Sequence, residues 1–279
     1  MSFVTTGIDD KSQPVELFFQ DWGQGKPLVL IHGWPLSHEM WEHQLSILPR
    51  HGLRVIAYDR RGFGQSSKPF NGYDYDTLAD DLKALLDHLE LDDVTLAGFS
   101  MGGGEVARYM KRHGGARVGR VALISVVTPF LLRTEDNADG IEAKTFDDMV
   151  DAVIDDRPAF LSDFGKKFYG VSLLSSPVSL PVLDWTQGLA MRASPKATED
   201  CIVAFSETDF RADLPAIHVP TLIIHGDADA IVPIKLSGER SAAMISHADL
   251  KVYGGAPHGL FITHKDELSS DLLAFTQRQ

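Results

Sequence analysis

A single cysteine, Cys201, is all the thiol this chain carries. That excludes an intramolecular disulfide framework and a cysteine-rich metal site. Cys201 lies in the helix-like stretch Ala197-Thr198-Glu199-Asp200-Cys201-Ile202-Val203, where a buried structural thiol is expected rather than a catalytic one. Basic residues are also scarce: 26 Lys and Arg stand against 39 Asp and Glu, leaving a formal charge of −13. Such a surface repels phosphate backbones and anionic membranes, so neither nucleic acid nor a membrane is an expected partner. The acidity needs no acidic-patch partner, because solubility accounts for it. No apolar run approaches the length of a membrane span. Residues 1–10 have neither a basic start nor an apolar core, so no signal peptide is read there and a cytoplasmic location is the expectation. Internal repeats and low-complexity segments are absent as well.

Two apparent motifs fail on spacing. In His38-Glu39-Met40-Trp41-Glu42-His43 the histidines are five apart and point to different helix faces, unlike the i, i+4 pair of a helical zinc site. Gly62-Phe63-Gly64 lacks the third glycine of a dinucleotide fingerprint. No metal site and no cofactor are read from the sequence.

What the chain does have is apolar residues, 44% of 279, enough for one large α/β domain with an insertion or at most two domains. Strands are predicted over Val15–Trp22, Leu28–Ile31, Val55–Tyr58, Val94–Ala97, Val121–Ile124, Thr221–His225 and Leu250–Tyr253, with Leu28–Ile31 and Val55–Tyr58 buried. Helices are predicted between them, over Trp41–Leu48, Thr77–Leu89, Gly103–His113, Ile234–Ile245 and Lys265–Thr276. The second carries an apolar stripe of Leu78, Leu82, Leu85, Leu86 and Leu89, with Asp80 and Asp81 placed in its first turn, where the helix dipole favours acids. This alternation argues for an α/β fold with a mostly parallel central sheet flanked by helices. From about Pro129 to Leu214 it stops, although apolar residues stay frequent. Residues 1–128 and 215–279 are therefore read as two parts of one core, and 129–214 as a small helical cap inserted between them.

Chemistry in parallel sheets collects at the carboxyl ends of the strands. One such tip holds Gly98-Phe99-Ser100-Met101-Gly102, a serine between two glycines at a strand-to-helix turn, the pattern of a nucleophile elbow. Alone the pattern is short, and a glycine-rich loop that happens to hold a serine also satisfies it. A serine hydroxyl needs a base to take its proton and an acid to orient the base. Among His113, His218, His225, His247, His258 and His264, only His258 lies in a Gly/Pro-rich loop directly after a predicted strand. For the acid, Gly226-Asp227-Ala228-Asp229 follows the preceding strand. Asp229 is read as the orienting acid and Asp227 as a loop-capping residue, since no further ligands are spaced for a metal pair. An oxyanion site needs two backbone N–H donors. Met101 supplies one, and Trp34 of the His32-Gly33-Trp34-Pro35 loop the other, with Pro35 restricting the Trp34 backbone. His32 is read as a hydrogen-bonded structural residue.

With these residues in hand the chain resembles the α/β-hydrolase superfamily throughout. Within it, the likeness is to the cofactor-free (non-haem) haloperoxidases, or perhydrolases, and related aryl esterases. The stretches that carry it are His32–Pro35, Asp59–Ser66, Gly98–Gly104, His225–Asp229 and Ala256–Gly259, with Glu207-Thr208-Asp209-Phe210 near the end of the cap. The resemblance implies Ser100 as nucleophile, His258 as base, Asp229 as orienting acid, and Trp34 and Met101 as oxyanion donors. A serine in the nucleophile position sets the chain apart from relatives of this fold that use aspartate, the haloalkane dehalogenases and epoxide hydrolases.

The implied activity is hydrolysis of small aryl or alkyl esters through an acyl-serine. Perhydrolysis joins it: a carboxylic acid and hydrogen peroxide give a peracid, which oxidises halide without metal or haem. Pro35 occupies the position where perhydrolytic members carry proline. The resemblance also implies an acyl pocket lined by Trp34, Pro35, Phe130, Phe164, Phe168, Phe205, Ile231 and Val232. Carbon–carbon or lactam hydrolysis on the same triad, and a non-catalytic ligand receptor, are the alternatives carried forward. Relatives often form homo-oligomers, which leaves the oligomeric state open.

Overall fold

The computed structural model describes residues 2–278. Its strands are β1 (Ser2–Ile8), β2 (Pro14–Gly23), β3 (Lys26–Ile31), β4 (Leu53–Tyr58), β5 (Val94–Phe99), β6 (Val118–Ile124), β7 (Thr221–Gly226) and β8 (Ala248–Tyr253). They form one eight-stranded sheet in the order β1-β2-β4-β3-β5-β6-β7-β8. β1 and β2 join antiparallel at one side, and every pairing from β4 onward is parallel. Along β3, Leu28 and Leu30 face one apolar layer while Val29 and Ile31 face the other. Both faces are covered, as the period-2 pleat of a continuous apolar strand requires.

The α-helices are α1 (Glu42–Ile47), α2 (Tyr75–His88), α3 (Met101–Arg112), α4 (Ala143–Phe168), α5 (Leu180–Met191), α6 (Pro195–Glu207), α7 (Gly238–Met244), α8 (Leu260–Thr263) and α9 (Lys265–Gln277). Leu78, Leu82, Leu85 and Leu86 of α2 are buried, and Leu89 packs against the same layer. Its start corrects the sequence reading. Asp74 caps α2 by accepting the Thr77 amide at 2.9 Å, so the first-turn acid is Asp76. Asp80 and Asp81 fall in the second turn and instead pair with Arg112 (2.7 Å) and Arg61 (2.6 Å). α7 likewise starts later than Ile234, after turns in which the Leu236 amide bonds the Pro233 carbonyl at 2.9 Å.

Between β6 and β7 the chain adds no strand to the central sheet and contributes α4, α5 and α6. We propose residues 129–214 as a cap on a core made of 1–128 and 215–279. α4 is not continuous. Asp156 leaves helical geometry (φ −148°, ψ 80°) two residues before Pro158, because a proline removes an amide and clashes with the preceding turn. The Asp156 carboxylate then accepts the Ala159 amide at 3.0 Å and caps the second half.

Candidate active site

Ser100 is the single residue between the end of β5 and the start of α3. Its backbone stands at φ 54°, ψ −117°, a sparsely populated region that costs a non-glycine residue about 1–3 kcal/mol. The turn is held by the Ser100 amide, which donates to the Ile124 carbonyl at 2.8 Å. The flanking glycines are there for space. A Cβ on Gly98 would meet the Gly102 carbonyl oxygen at 2.4 Å, and one on Gly102 the Ile31 carbonyl oxygen at 2.7 Å. Backbone atoms cannot give way at such distances.

The loops after β7 and β8 bring the other two side chains in. His258 Nε2 lies 3.0 Å from Ser100 Oγ, and His258 Nδ1 lies 2.7 Å from Asp229 Oδ2. Asp229 Oδ1 accepts the amides of Ile231 (2.9 Å) and Val232 (2.8 Å). Burial alone would raise this carboxyl, but the charge of His258 and polar contacts from the rings of His225 and His258 outweigh it and hold it well below the usual carboxylate range. An ionised Asp229 keeps the proton on Nδ1 of His258, so Nε2 is free to accept the serine proton. Asp227 sits apart from this line, exposed, accepting the Gly255 amide at 2.6 Å.

Gly33 follows the end of β3, and a Cβ there would lie 2.6 Å from the Phe99 ring and 3.1 Å from Ser100 Cβ. Its absence lets the Trp34 backbone pass close to the serine. The Trp34–Pro35 peptide bond is cis. Among the described residues, neither the Trp34 nor the Met101 amide donates to a protein acceptor. The Met101 N–H also stands at the positive end of α3. His32 is fully buried and hydrogen-bonded: its Nε2 accepts the Arg60 amide at 3.0 Å and its Nδ1 lies 2.9 Å from the Gly33 carbonyl.

A cavity of about 270 Å³ opens above Ser100 and His258. Trp34, Phe164, Phe205, Ile231 and Val232 line it. The structure places the other three expected wall residues elsewhere. Phe130 turns away to lie under the Arg211 guanidinium, 5.2 Å from its ring centre. Phe168 packs edge-on against the His258 ring at 4.9 Å and supports the base instead of facing the cavity. Pro35 is buried beside Leu161, Phe164 and Phe168 in a separate small crevice.

A family model described as alpha/beta hydrolase fold matches residues 26–265. The chain belongs to the α/β-hydrolase family. The hydrolase is 45% identical to a non-heme haloperoxidase of Rhodococcus erythropolis over 99% of this chain and 100% of that protein. It is 40% identical to the bifunctional esterase/perhydrolase DCH of Acinetobacter calcoaceticus, over 99% of both. The crystal structure of bromoperoxidase from Bacillus anthracis superposes with a TM-score of 0.95 at 46% identity, covering 99% of each chain. The fold class and the family resemblance drawn from the motifs are both borne out.

Several parts of this hydrolase's site were invisible in its sequence. Phe146 and Met149 on the first half of α4, and Phe160 on the second, add to the wall, with Thr145, Asp163 and Lys167 beside them. Phe146, Met149 and Phe160 carry only a helical apolar pattern, which ordinary cap packing would also produce. Glu105, one turn into α3, is fully buried and receives Arg60 Nε at 2.8 Å and the Tyr58 hydroxyl. Burial pushes the Glu105 carboxyl up, against the opposing pull of the Arg60 charge. The group ties the nucleophile helix to the turn after β4 and, because Arg60 Nη2 also donates to the His32 carbonyl at 2.9 Å, to the loop after β3. Cys201 is buried, and burial pushes its thiol up to about 12, so it carries no nucleophilic thiolate.

Proposed function

We propose that this hydrolase cleaves small carboxylic esters through an acyl-Ser100 intermediate and releases the acyl group to water or to hydrogen peroxide. The observation that carries the reading is the unbroken line Asp229–His258–Ser100, at 2.7 and 3.0 Å, under an apolar cavity and beside two unengaged amides. His258 Nε2 takes the serine proton as Oγ attacks the ester carbonyl. The resulting oxyanion accepts hydrogen bonds from the Trp34 and Met101 amides. Collapse breaks the bond to the alcohol oxygen, which leaves with the proton from His258. In the second half-reaction His258 deprotonates water or hydrogen peroxide, which attacks the acyl carbon. Ser100 leaves with the returned proton, and the product is an acid or a peracid. Peracid then converts halide to hypohalous acid and is itself reduced to the carboxylic acid.

The chemical character of the cavity favours acyl or aryl groups of modest size, and the sequence relatives include an esterase/perhydrolase by name. Pro35 bears on the choice between water and peroxide through its neighbour: it fixes the Trp34 peptide so that the Trp34 carbonyl accepts a hydrogen bond from peroxide. Pro35→Leu is expected to lower the ratio of peracid formation to ester hydrolysis, and an unchanged ratio removes this account. The reading as a whole is tested by stoichiometric labelling of Ser100 with an organophosphonate, together with burst release from p-nitrophenyl acetate. Absence of labelling on folded protein would sink it.

A further inference from the structure

A second imidazole stands against the carboxylate of the catalytic line. His225 lies near the end of β7, and its ring is fully buried. Its Nε2 is 2.8 Å from the Val232 carbonyl oxygen and 3.3 Å from Asp229 Oδ2. A carbonyl only accepts, so the ring proton is on Nε2 and a lone pair is left on Nδ1. Among the described residues that Nδ1 has no hydrogen-bond partner. It faces Gly238 at the start of α7, where even a Cβ would come within 2.7 Å of it. An unpaired buried acceptor is a cost that an apolar ring of the same size would not carry. Packing alone therefore does not account for a histidine here, and what the ring adds over an apolar one is its Nε2–H.

The contacts close into one unit. The Val232 amide donates to Asp229 Oδ1, and the Val232 carbonyl accepts from His225. With Oδ1 committed to two backbone amides, Oδ2 is left between His258 Nδ1 at 2.7 Å and the Nε2–H edge of His225 at 3.3 Å. Asp229 and His258 are the titratable groups in this contact set. Gly238 of α7 and Val252, the β8 residue paired with His225, bring no charge.

We propose that His225 is a positioning residue for the acyl-transfer centre: its Nε2–H edge aims Asp229 Oδ2 at His258 and moderates the carboxylate's hold on the imidazolium. The Nε2 proton itself goes to the Val232 carbonyl, so what Oδ2 meets at 3.3 Å is the positive edge of that N–H, and the depressed Asp229 carboxyl agrees with it. The proposal rests on the reading of Asp229 and His258 as acid and base. Failure of Ser100 labelling overturns that reading, whereas the experiment below addresses His225 alone.

The test is the pH dependence of kcat/KM for p-nitrophenyl acetate in the wild type and in His225→Leu, His225→Gln and His225→Asn. Leucine removes the donor, so the potential at His258 becomes more negative and the imidazolium is stabilised. The acid limb then moves to higher pH, by about 0.5 unit, a threefold change in proton affinity. Glutamine carries an N–H near the position of Nε2 and returns the limb toward the wild type. The shorter asparagine falls short of Oδ2, and its limb follows that of leucine. A merely structural role lowers kcat and leaves all limbs coincident, which overturns the proposal. Where His225→Leu does not fold, the glutamine and asparagine variants decide it: separated limbs support the proposal and coincident limbs refute it.

Discussion

Asp229→Asn should leave the hydrolase folded and nearly inactive, for a reason the hydrogen bonds make specific. The amide can keep its oxygen in only one of the two positions. Two backbone donors, the amides of Ile231 and Val232, converge on Oδ1 at 2.9 and 2.8 Å, so the asparagine oxygen stays there. Its NH2 then replaces Oδ2 and points a donor at His258 Nδ1. The imidazole responds by carrying its proton on Nε2, where it faces Ser100 Oγ and cannot accept the serine proton. A wrong tautomer of this kind lowers kcat by about 10⁴, or ~5.5 kcal/mol. KM should change little, because the substitution leaves the cavity lining intact.

The same substitution has a signature in stability. The native carboxyl is held below its unfolded value, so its ionisation stabilises the fold fully above the ordinary carboxylate range. That contribution is lost as pH falls through about 4 and below, at ~1.4 kcal/mol per unit of depression. The advantage of wild type over Asp229→Asn in urea midpoint should therefore be larger at pH 7 than at pH 3. The assay is steady-state hydrolysis of p-nitrophenyl acetate alongside urea melts at both pH values. A variant that keeps kcat within tenfold of wild type, or loses activity mainly through KM, would refute the reasoning.

Gly98→Ala would force a Cβ to 2.4 Å from the Gly102 carbonyl oxygen. It should cost about 1–3 kcal/mol in a urea melt and lower kcat as the elbow shifts. Phe164→Ala removes a ring centred 5.2 Å from that of Trp34 on the cavity wall. Steady-state kinetics should show kcat/KM for phenyl esters falling about 10- to 100-fold, with a smaller change for methyl esters. Glu105→Gln leaves the Arg60 guanidinium, 1% exposed, without its counter-charge. The urea midpoint should drop by the equivalent of about 3–5 kcal/mol, with an unchanged slope.

The alternation of strand and helix could be read directly because the inner parallel strands β3, β4, β5 and β7 are buried on both faces and therefore almost uniformly apolar. Ser100, Asp229 and His258 were legible for another reason. Each sits in a short loop whose glycines and prolines mark a strand tip, and their chain order is that of a serine triad. The N-terminal strand β1 escaped notice because it lies at the edge of the sheet and buries only Val4, so it carries no apolar run. The cavity wall escaped because tertiary placement, not local pattern, decides which aromatics face it. Phe130 and Phe164 are indistinguishable by type, yet one lies under Arg211 and the other against Trp34. By its sequence Glu105 is an ordinary helical acid, and only the fold brings Arg60 and Tyr58 to it.

The interruption of α4 at Asp156 has a consequence for how such a site can change. Thr145, Phe146 and Met149 precede the joint, and Phe160, Phe164 and Lys167 follow it, yet all border the same cavity. Each half is a separate jaw with its own first turn, so a substitution in one need not carry its rotation through a rigid rod to the other. The reacting atoms stand on the sheet, outside both jaws. The part of the cavity wall that α4 supplies thus stands apart from the bond-breaking atoms, and the jaws can be altered one at a time around a fixed nucleophile.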